Sequence, residues 1–169
     1  KDVRIAQKTI VFSVEERPQE LFSDVTREIG VSFEHITNLE DEFQFGTGLG
    51  IEDFNQDGLV DIYVTNQIRS NAFFVNNGDG FFIDRAVHAG VDLPNSLGTG
   101  VAIADYDNDG DSDLYVLNNG SNVLFRNEND GTFTDVTEFS GVGDLGRGSS
   151  AAWGDYDGDS HLDLYVTNH

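Results

Sequence analysis

Three copies of one nine-residue acidic pattern constrain this chain more than any other feature: DFNQDGLVD from Asp53, DYDNDGDSD from Asp105 and DYDGDSHLD from Asp155. The copies begin 52 and 50 residues apart, at positions 53, 105 and 155. A fixed period of that length belongs to solenoids, propellers and arrays, in which each unit buries its apolar face against the next. A second echo runs in step with the first. Phe22–Thr26 (FSDVT) with Gly30 and Val31 matches Phe82–Ala86 (FIDRA) with Gly90 and Val91, and Phe133–Thr137 (FTDVT) with Gly141 and Val142.

Each repeat divides into four short strands with turn signals between them. The first is expected over 46–54, 98–106 and 148–156, where small residues suit crowded backbones. After the acidic loop comes DIYVTN, DLYVLN or DLYVTN, with alternation that buries one face. A third strand, NAFFVN (71–76) or NVLFRN (122–127), passes through NGDG (77–80) or NDG (129–131) into a fourth. Asp-Gly between apolar runs is a strong hairpin signal. No segment shows a sustained helical period.

Four antiparallel strands per repeat and no helix predict an all-β chain of β-propeller-type blades, two complete and others partial. A β-sandwich does not usually repeat its sequence at a fixed period. Residues 20–169 are read as the repeat unit, with a terminal fourth strand at Leu21–Thr26. Residues 1–19 are read as an extension carrying one strand, Thr9–Val14. Propellers close with about 4–8 blades, so the chain is expected to be a fragment of a longer protein or a subunit completed by assembly. In the second case TIVFSV and ELFSDVT (9–14 and 20–26) supply the missing strands to the open blade of a neighbouring copy, head to tail, in a ring or filament.

Charge sharpens the function. With 31 acidic against 9 basic residues the formal charge is -22, which argues against nucleic acid and anionic membranes as partners. Yet 38% hydrophobic and 11% aromatic residues provide for a real core. Much of the acid lies at alternate positions of the three loops, where carboxylates repel one another unless a cation lies between them. Cysteine is absent, which removes disulfides and thiolate metal sites.

In D-x-[DN]-x-[DN]-G the side chains at positions 1, 3 and 5 converge because the loop curls, and Gly at position 6 permits the turn. The candidate ligands are Asp53, Asn55, Asp57, the carbonyl of Leu59, and Asp61 in the first loop. In the second they are Asp105, Asp107, Asp109, the carbonyl of Asp111, and Asp113. In the third they are Asp155, Asp157, Asp159, the carbonyl of His161, and Asp163. All-oxygen ligation selects Ca²⁺, about one ion per loop. No helix is expected beside these loops, and the bidentate Glu that closes an EF-hand at position 12 is replaced by Val64, Val116 and Val166. Ser160 stands where the other loops have Gly58 and Gly110, so it is expected to carry backbone strain at positive φ.

The pattern G-x-G-x-a-x-D-x-[DN]-x-D-G-x-x-D before an apolar strand resembles the FG-GAP/VCBS repeats of integrin-α-type propellers. The added hairpin LFRNENDGTFTDVTEFSGV (124–142) is similar to that of proteins related to cartilage acidic protein, often joined to an ASPIC/UnbV segment. The resemblance covers about residues 21–169. It implies Ca²⁺ in each loop, a secreted or cell-surface setting, and roles in adhesion or matrix binding, with extracellular protein or glycan as partner. A seven-blade closure, usual in such propellers, does not fit a chain of this length.

Catalysis is not expected. Asp105 and Asp113 could serve as a glycosidase-like pair, but ligation would hold them ionised. Ser149, Ser150, His161 and Asp155 lack the pattern of a nucleophile elbow. His35, His88 and His169 are scattered and read as surface or locally bonded residues. Trp153 replaces Ile51 and Ile103 and reads as core packing, with a sugar platform as the alternative. Asn66, Asn118 and Asn168 read as turn formers. The reading from another class is a fragment of a larger secreted propeller that binds or processes carbohydrate.

Overall fold

The computed structural model describes residues 5–6, 9–10, 23–36 and 46–169. β1 (Ile5–Ala6) and β2 (Thr9–Ile10) pair antiparallel. The rest of the expected Thr9–Val14 strand lies outside the described residues, as do Leu21 and Phe22 of the expected Leu21–Thr26 strand. Residues 23–26 are irregular chain entering a turn, not strand. Asp24 Oδ1 accepts the Thr26 N–H at 3.1 Å and the Thr26 hydroxyl at 2.6 Å. This local bonding competes with a ladder.

Two four-stranded antiparallel meanders carry most of the described chain. The first runs β3 (Leu49–Glu52), β4 (Asp61–Val64), β5 (Ala72–Asn76), β6 (Phe82–Asp84). The second runs β7 (Gly98–Ala104), β8 (Asp113–Asn118), β9 (Val123–Asn127), β10 (Phe133–Asp135). A third sheet pairs β11 (Gly148–Gly154) with β12 (Asp163–Asn168). Each acidic loop joins the first strand of a sheet to its second. The architecture is that of successive propeller-like blades.

The glycines of the first strands mark where blades meet. A Cβ on Gly48 would stand 2.4 Å from the Gly100 carbonyl carbon, and one on Gly98 would stand 2.6 Å from Thr65 Cβ. Only a missing side chain admits that approach.

Single helical turns, α1 (Ala86–Ala89) and α2 (Thr137–Ser140), follow the fourth strands. They are too short to show a period in sequence, and they explain the second echo. Asp84 Oδ1 accepts the Ala86 N–H, and Asp135 Oδ1 accepts the Thr137 N–H, both at 3.0 Å. Gly90 and Gly141 then end the turns at φ 78 and 69. Asp24 and Gly30, at φ 82, repeat the arrangement ahead of the first blade.

One core cluster lies between the two complete sheets, and a second, around Tyr115, Leu117 and Leu124, packs against Trp153, Leu164 and Val166 of the third. Phe54, Phe73 and Phe133 meet edge to face with centroids 5.5–5.9 Å apart, beside Tyr63, Leu114, Val116 and Phe125. Burying each such side chain contributes about 1.5–3 kcal/mol. Inside each sheet one polar relay repeats. Tyr63 donates to the Val91 carbonyl (2.8 Å) and accepts from Asn71 Nδ2 (2.8 Å), whose Oδ1 takes the Asn66 N–H (2.7 Å). Tyr115, Val142, Asn122 and Asn118 repeat it at 2.8, 3.1 and 2.9 Å. Asn66 follows β4 and Asn118 ends β8, both deeply buried, with Asn118 in the ladder opposite Gly98 rather than in a turn.

Candidate metal centres

The three loops curl by one hydrogen-bond scheme. The position-1 carboxylate caps the amides of positions 5 and 6: Asp53 takes Asp57 N–H (3.0 Å) and Gly58 N–H (2.8 Å). Asp105 takes Asp109 and Gly110 N–H, both at 3.0 Å. Asp155 takes Asp159 and Ser160 N–H, both at 3.1 Å. The position-5 carboxylate then accepts the position-7 amide, from Leu59 (2.8 Å), Asp111 (3.2 Å) and His161 (2.8 Å). Glycine supplies position 6 in the first two loops, at φ 86 and 97, and Ser160 adopts the same left-handed conformation at φ 72.

This curl gathers the acids. One carboxylate oxygen from each of Asp105, Asp107 and Asp109 lies within 4.8 Å of the others, and the same holds for Asp155, Asp157 and Asp159. In the first loop Asn55 donates to Asp57 Oδ2 at 3.0 Å. The position-9 acids brace the blade through backbone amides. Asp113 takes the Tyr106 N–H (3.0 Å) and the Asn127 N–H (2.8 Å), and Asp61 takes the Asn76 N–H (2.8 Å). Asp163 takes the Tyr156 N–H at 2.8 Å.

The electrostatics suit a cation. Asp61 is fully buried and Asp113 nearly so. Burial pushes the Asp113 carboxyl up to about 7, with Asp107 and Asp111 adding repulsion against the two amides that favour its charge. Asp111 is pushed up to about 6, first by burial and then by Asp109. Burial and then Asp109 raise Asp107, and burial raises Asp61. Asp61 Oδ2 and Asp111 Oδ1 are buried without a hydrogen-bond partner, although the Phe54 amide lies close enough to Asp61 to favour its charge. Orphaned carboxylate oxygens beside converging acids are what a divalent cation would satisfy. The residues present thus fit calcium.

Two features went unread in the sequence. Position 4 is left-handed in every loop, at Gln56 (φ 55), Asn108 (φ 61) and Gly158 (φ 78); Asn and Gly there were the available signal. The closing asparagine of the third strand is the other. Asn127 gives its N–H to Asp113 and its side-chain amide to the carbonyls of Phe54 (2.7 Å) and Ser112 (3.0 Å), tying two loops to one strand.

The remaining candidates are not gathered into a site. Trp153 stacks on Tyr106 at 6.3 Å and meets Tyr115 edge-on at 6.0 Å, which is packing between blades. Among the described residues no hydrogen bond joins the His161 ring to Ser149, Ser150 or Asp155, and Asp155 is engaged by loop amides. His35 is half-buried, its Nε2 lacks a partner, and burial lowers its pKa; its half-buried ring departs from the surface reading. His88 is exposed. No helix among the described residues is long and apolar enough to cross a membrane.

Comparison with known proteins follows the same residues. The profile of the FG-GAP-like repeat matches residues 53–116 and again 105–166, more than half of the chain. Cartilage acidic protein 1 from Homo sapiens is 37% identical over 103 residues, covering 60% of this chain and 14% of the relative. Its counterpart from Xenopus tropicalis is 33% identical over 110 residues, covering 64% of this chain and 16% of the relative. The chain therefore spans only a small part of the curated relatives it matches.

Proposed function

The chain belongs to the FG-GAP-like repeat family, and from that premise we propose that it is a calcium-binding, non-enzymatic structural or adhesion module of the extracellular space, with residues 20–169 as its repeat unit and residues 1–19 as an extension. The observation that carries the reading is the repeated convergence of three acidic side chains within 4.8 Å in successive loops. In the second loop the cation is held by Asp105, Asp107, Asp109, the Asp111 carbonyl and Asp113. The first uses Asp53, Asn55, Asp57, the Leu59 carbonyl and Asp61; the third uses Asp155, Asp157, Asp159, the His161 carbonyl and Asp163. When bound, calcium supplies the positive charge that keeps these carboxylates ionised and side by side.

Loops without a bidentate Glu, open on one side, suit the weak sites of extracellular modules, with Kd of about 10⁻⁴–10⁻³ M. Such sites fill where calcium is millimolar. The matched relatives are named for cartilage and for acidity, which supports an extracellular setting. Binding to the folded state alone stabilises it by about 0.4–1.4 kcal/mol per site when calcium is one to ten times Kd, summed over the loops. Excess chelator should therefore lower Tm by several degrees, with recovery on adding calcium. An identical melting curve in chelator and in calcium would refute the reading.

Two extensions carry their own observations. Among the described residues β12 pairs only with β11, and we place head-to-tail self-association at its outer edge, where a strand of a second copy would pair; sedimentation of the chain as a monomer at all concentrations would exclude it. The carbohydrate reading draws on an open cleft of about 940 Å³ beside α2, lined by Asp135, Glu138 and the exposed Phe139. Binding or turnover on a glycan array would favour it over the adhesion reading.

A further inference from the structure

The side chains at position 4 reach sideways into the next loop. Gln56 Nε2 donates to the Gly110 carbonyl at 2.9 Å, and Asn108 Nδ2 donates to the Ser160 carbonyl at 3.3 Å. Each acceptor is the position-6 carbonyl of the following loop, so the contact repeats in register. The peptide group that accepts also donates. Its N–H, from Asp111 or His161, is the one bonded to Oδ1 of Asp109 or Asp159. At the near end, the peptide that follows Gln56 gives its Asp57 N–H to Asp53, and the one that follows Asn108 gives its Asp109 N–H to Asp105. A path of hydrogen bonds linked through the position-4 side chain thus runs from a ligand carboxylate of one loop to a ligand carboxylate of the next.

The conformations support a purpose for these side chains. Gln56 and Asn108 are held at positive φ, where glycine sits without strain, as Gly158 does in the third loop. The two loops with a successor among the described residues keep a carboxamide at this position despite that strain.

The geometry points to Gln56 and Asn108 as positioning residues that couple the acidic loops, so that a cation in one loop raises the affinity of the next. The inference rests on the calcium binding proposed above. A cation that fixes Asp53 and Asp57 fixes the peptide between residues 56 and 57, and with it the Gln56 side chain. The anchored carboxamide polarises the Gly110–Asp111 peptide and strengthens its bond to Asp109. That carboxylate is then held in place before its own cation arrives. By linkage the effect is reciprocal.

Calcium titration of the full chain, followed by amide NMR at Gly58, Gly110 and Gly158, reads each loop separately. Asp53→Asn weakens the first loop and is expected to lower second-loop affinity about fivefold or more. In Gln56→Gly the second loop should lose about the same factor and become indifferent to Asp53→Asn, and the first loop, by reciprocity, should lose what the occupied second loop lends it. Gln56→Asn keeps the carboxamide that Asn108 uses and should restore the coupling. An unchanged second-loop affinity in Gln56→Gly, or one that still responds to Asp53→Asn there, overturns the proposal. Three loops that saturate independently sink the coupling alone; no saturation at any loop sinks calcium binding with it.

Discussion

β8 and β12 are nearly the same strand in sequence, DLYVLN and DLYVTN, yet β8 is buried along its whole length while β12 is largely exposed. Tyr115 is 1% exposed and Tyr165 73%. Both strands pair with a glycine-rich first strand in the same register, including the irregularity between Gly98 and Gly100 or between Gly148 and Ser150. The difference is the neighbours: β9 pairs with β8 and brings the Asn127 amide to Asp113, and Trp153 of the third sheet packs on Tyr115, whereas among the described residues Asp163 accepts only the Tyr156 amide. The repeat motif therefore forms the strand pair and the loop curl, and the third strand turns them into a buried, electrostatically loaded blade.

The largest expected effect that tests this contrast is on pH dependence without metal. The Asp113 carboxyl, buried under β9, is raised from 3.8 to about 7. A carboxyl raised in the folded state binds its proton more tightly there than in the unfolded chain. Its stabilising contribution is full below about pH 4 and is lost as pH climbs through about 7. At about 1.4 kcal/mol per pH unit between the two values, the loss has an upper bound of about 4 kcal/mol. Urea midpoints in excess chelator should therefore fall from pH 5 to pH 8, and Asp113→Asn should reduce that slope, leaving the share carried by Asp111, raised to about 6. A slope of equal size in the variant would place the titration elsewhere.

Next in size is the tyrosine pair. Tyr115→Phe removes the donor to the Val142 carbonyl and the acceptor for Asn122, and should cost about 1–3 kcal/mol in denaturant unfolding. Tyr165→Phe, at an exposed position, should stay within about 0.5 kcal/mol. Equal costs would break the comparison, because Tyr165 would then be covered in solution, as a third strand from a second copy would cover it.

The contrast also explains what was legible in the sequence. The period, the strand pairs and the loops were readable because each depends on short spacing: Asp at alternate positions, Gly at the turn, and alternation in DLYV. The left-handed φ of Ser160 was readable for the same reason. The single helical turns were not, since four residues show no period, although the Asp and Gly that bound them were visible as an echo. Nor was the division of labour within a loop. Asp113 has the same spacing to its neighbours as any alternating acid, and only the fold brings the Asn127 and Tyr106 amides to it. The reach of Gln56 to Gly110 spans 54 positions and depends on how two blades sit side by side.

The smallest effect separates loop backbone from blade context. Gly110 and Ser160 hold the same left-handed position, at φ 97 and 72. A Cβ at Gly110 would meet nothing within 4 Å, so Gly110→Ser sets about 1–2 kcal/mol of backbone strain against the roughly 0.5–1 kcal/mol regained by removing glycine's extra freedom, a net cost of about 0.5 kcal/mol. In the reverse substitution, Ser160→Gly, relief of that strain is offset by the roughly 0.5–1 kcal/mol that glycine's extra freedom costs on folding. The net gain should be about 0.5 kcal/mol. Both are read as urea midpoints in chelator, which keeps metal affinity out of the comparison. If Gly110→Ser cost several times more than Ser160→Gly gained, the second loop would owe its rigidity to the covered blade around it. Matching magnitudes would instead make the turn a property of the nine residues themselves, the same in an exposed blade as in a buried one.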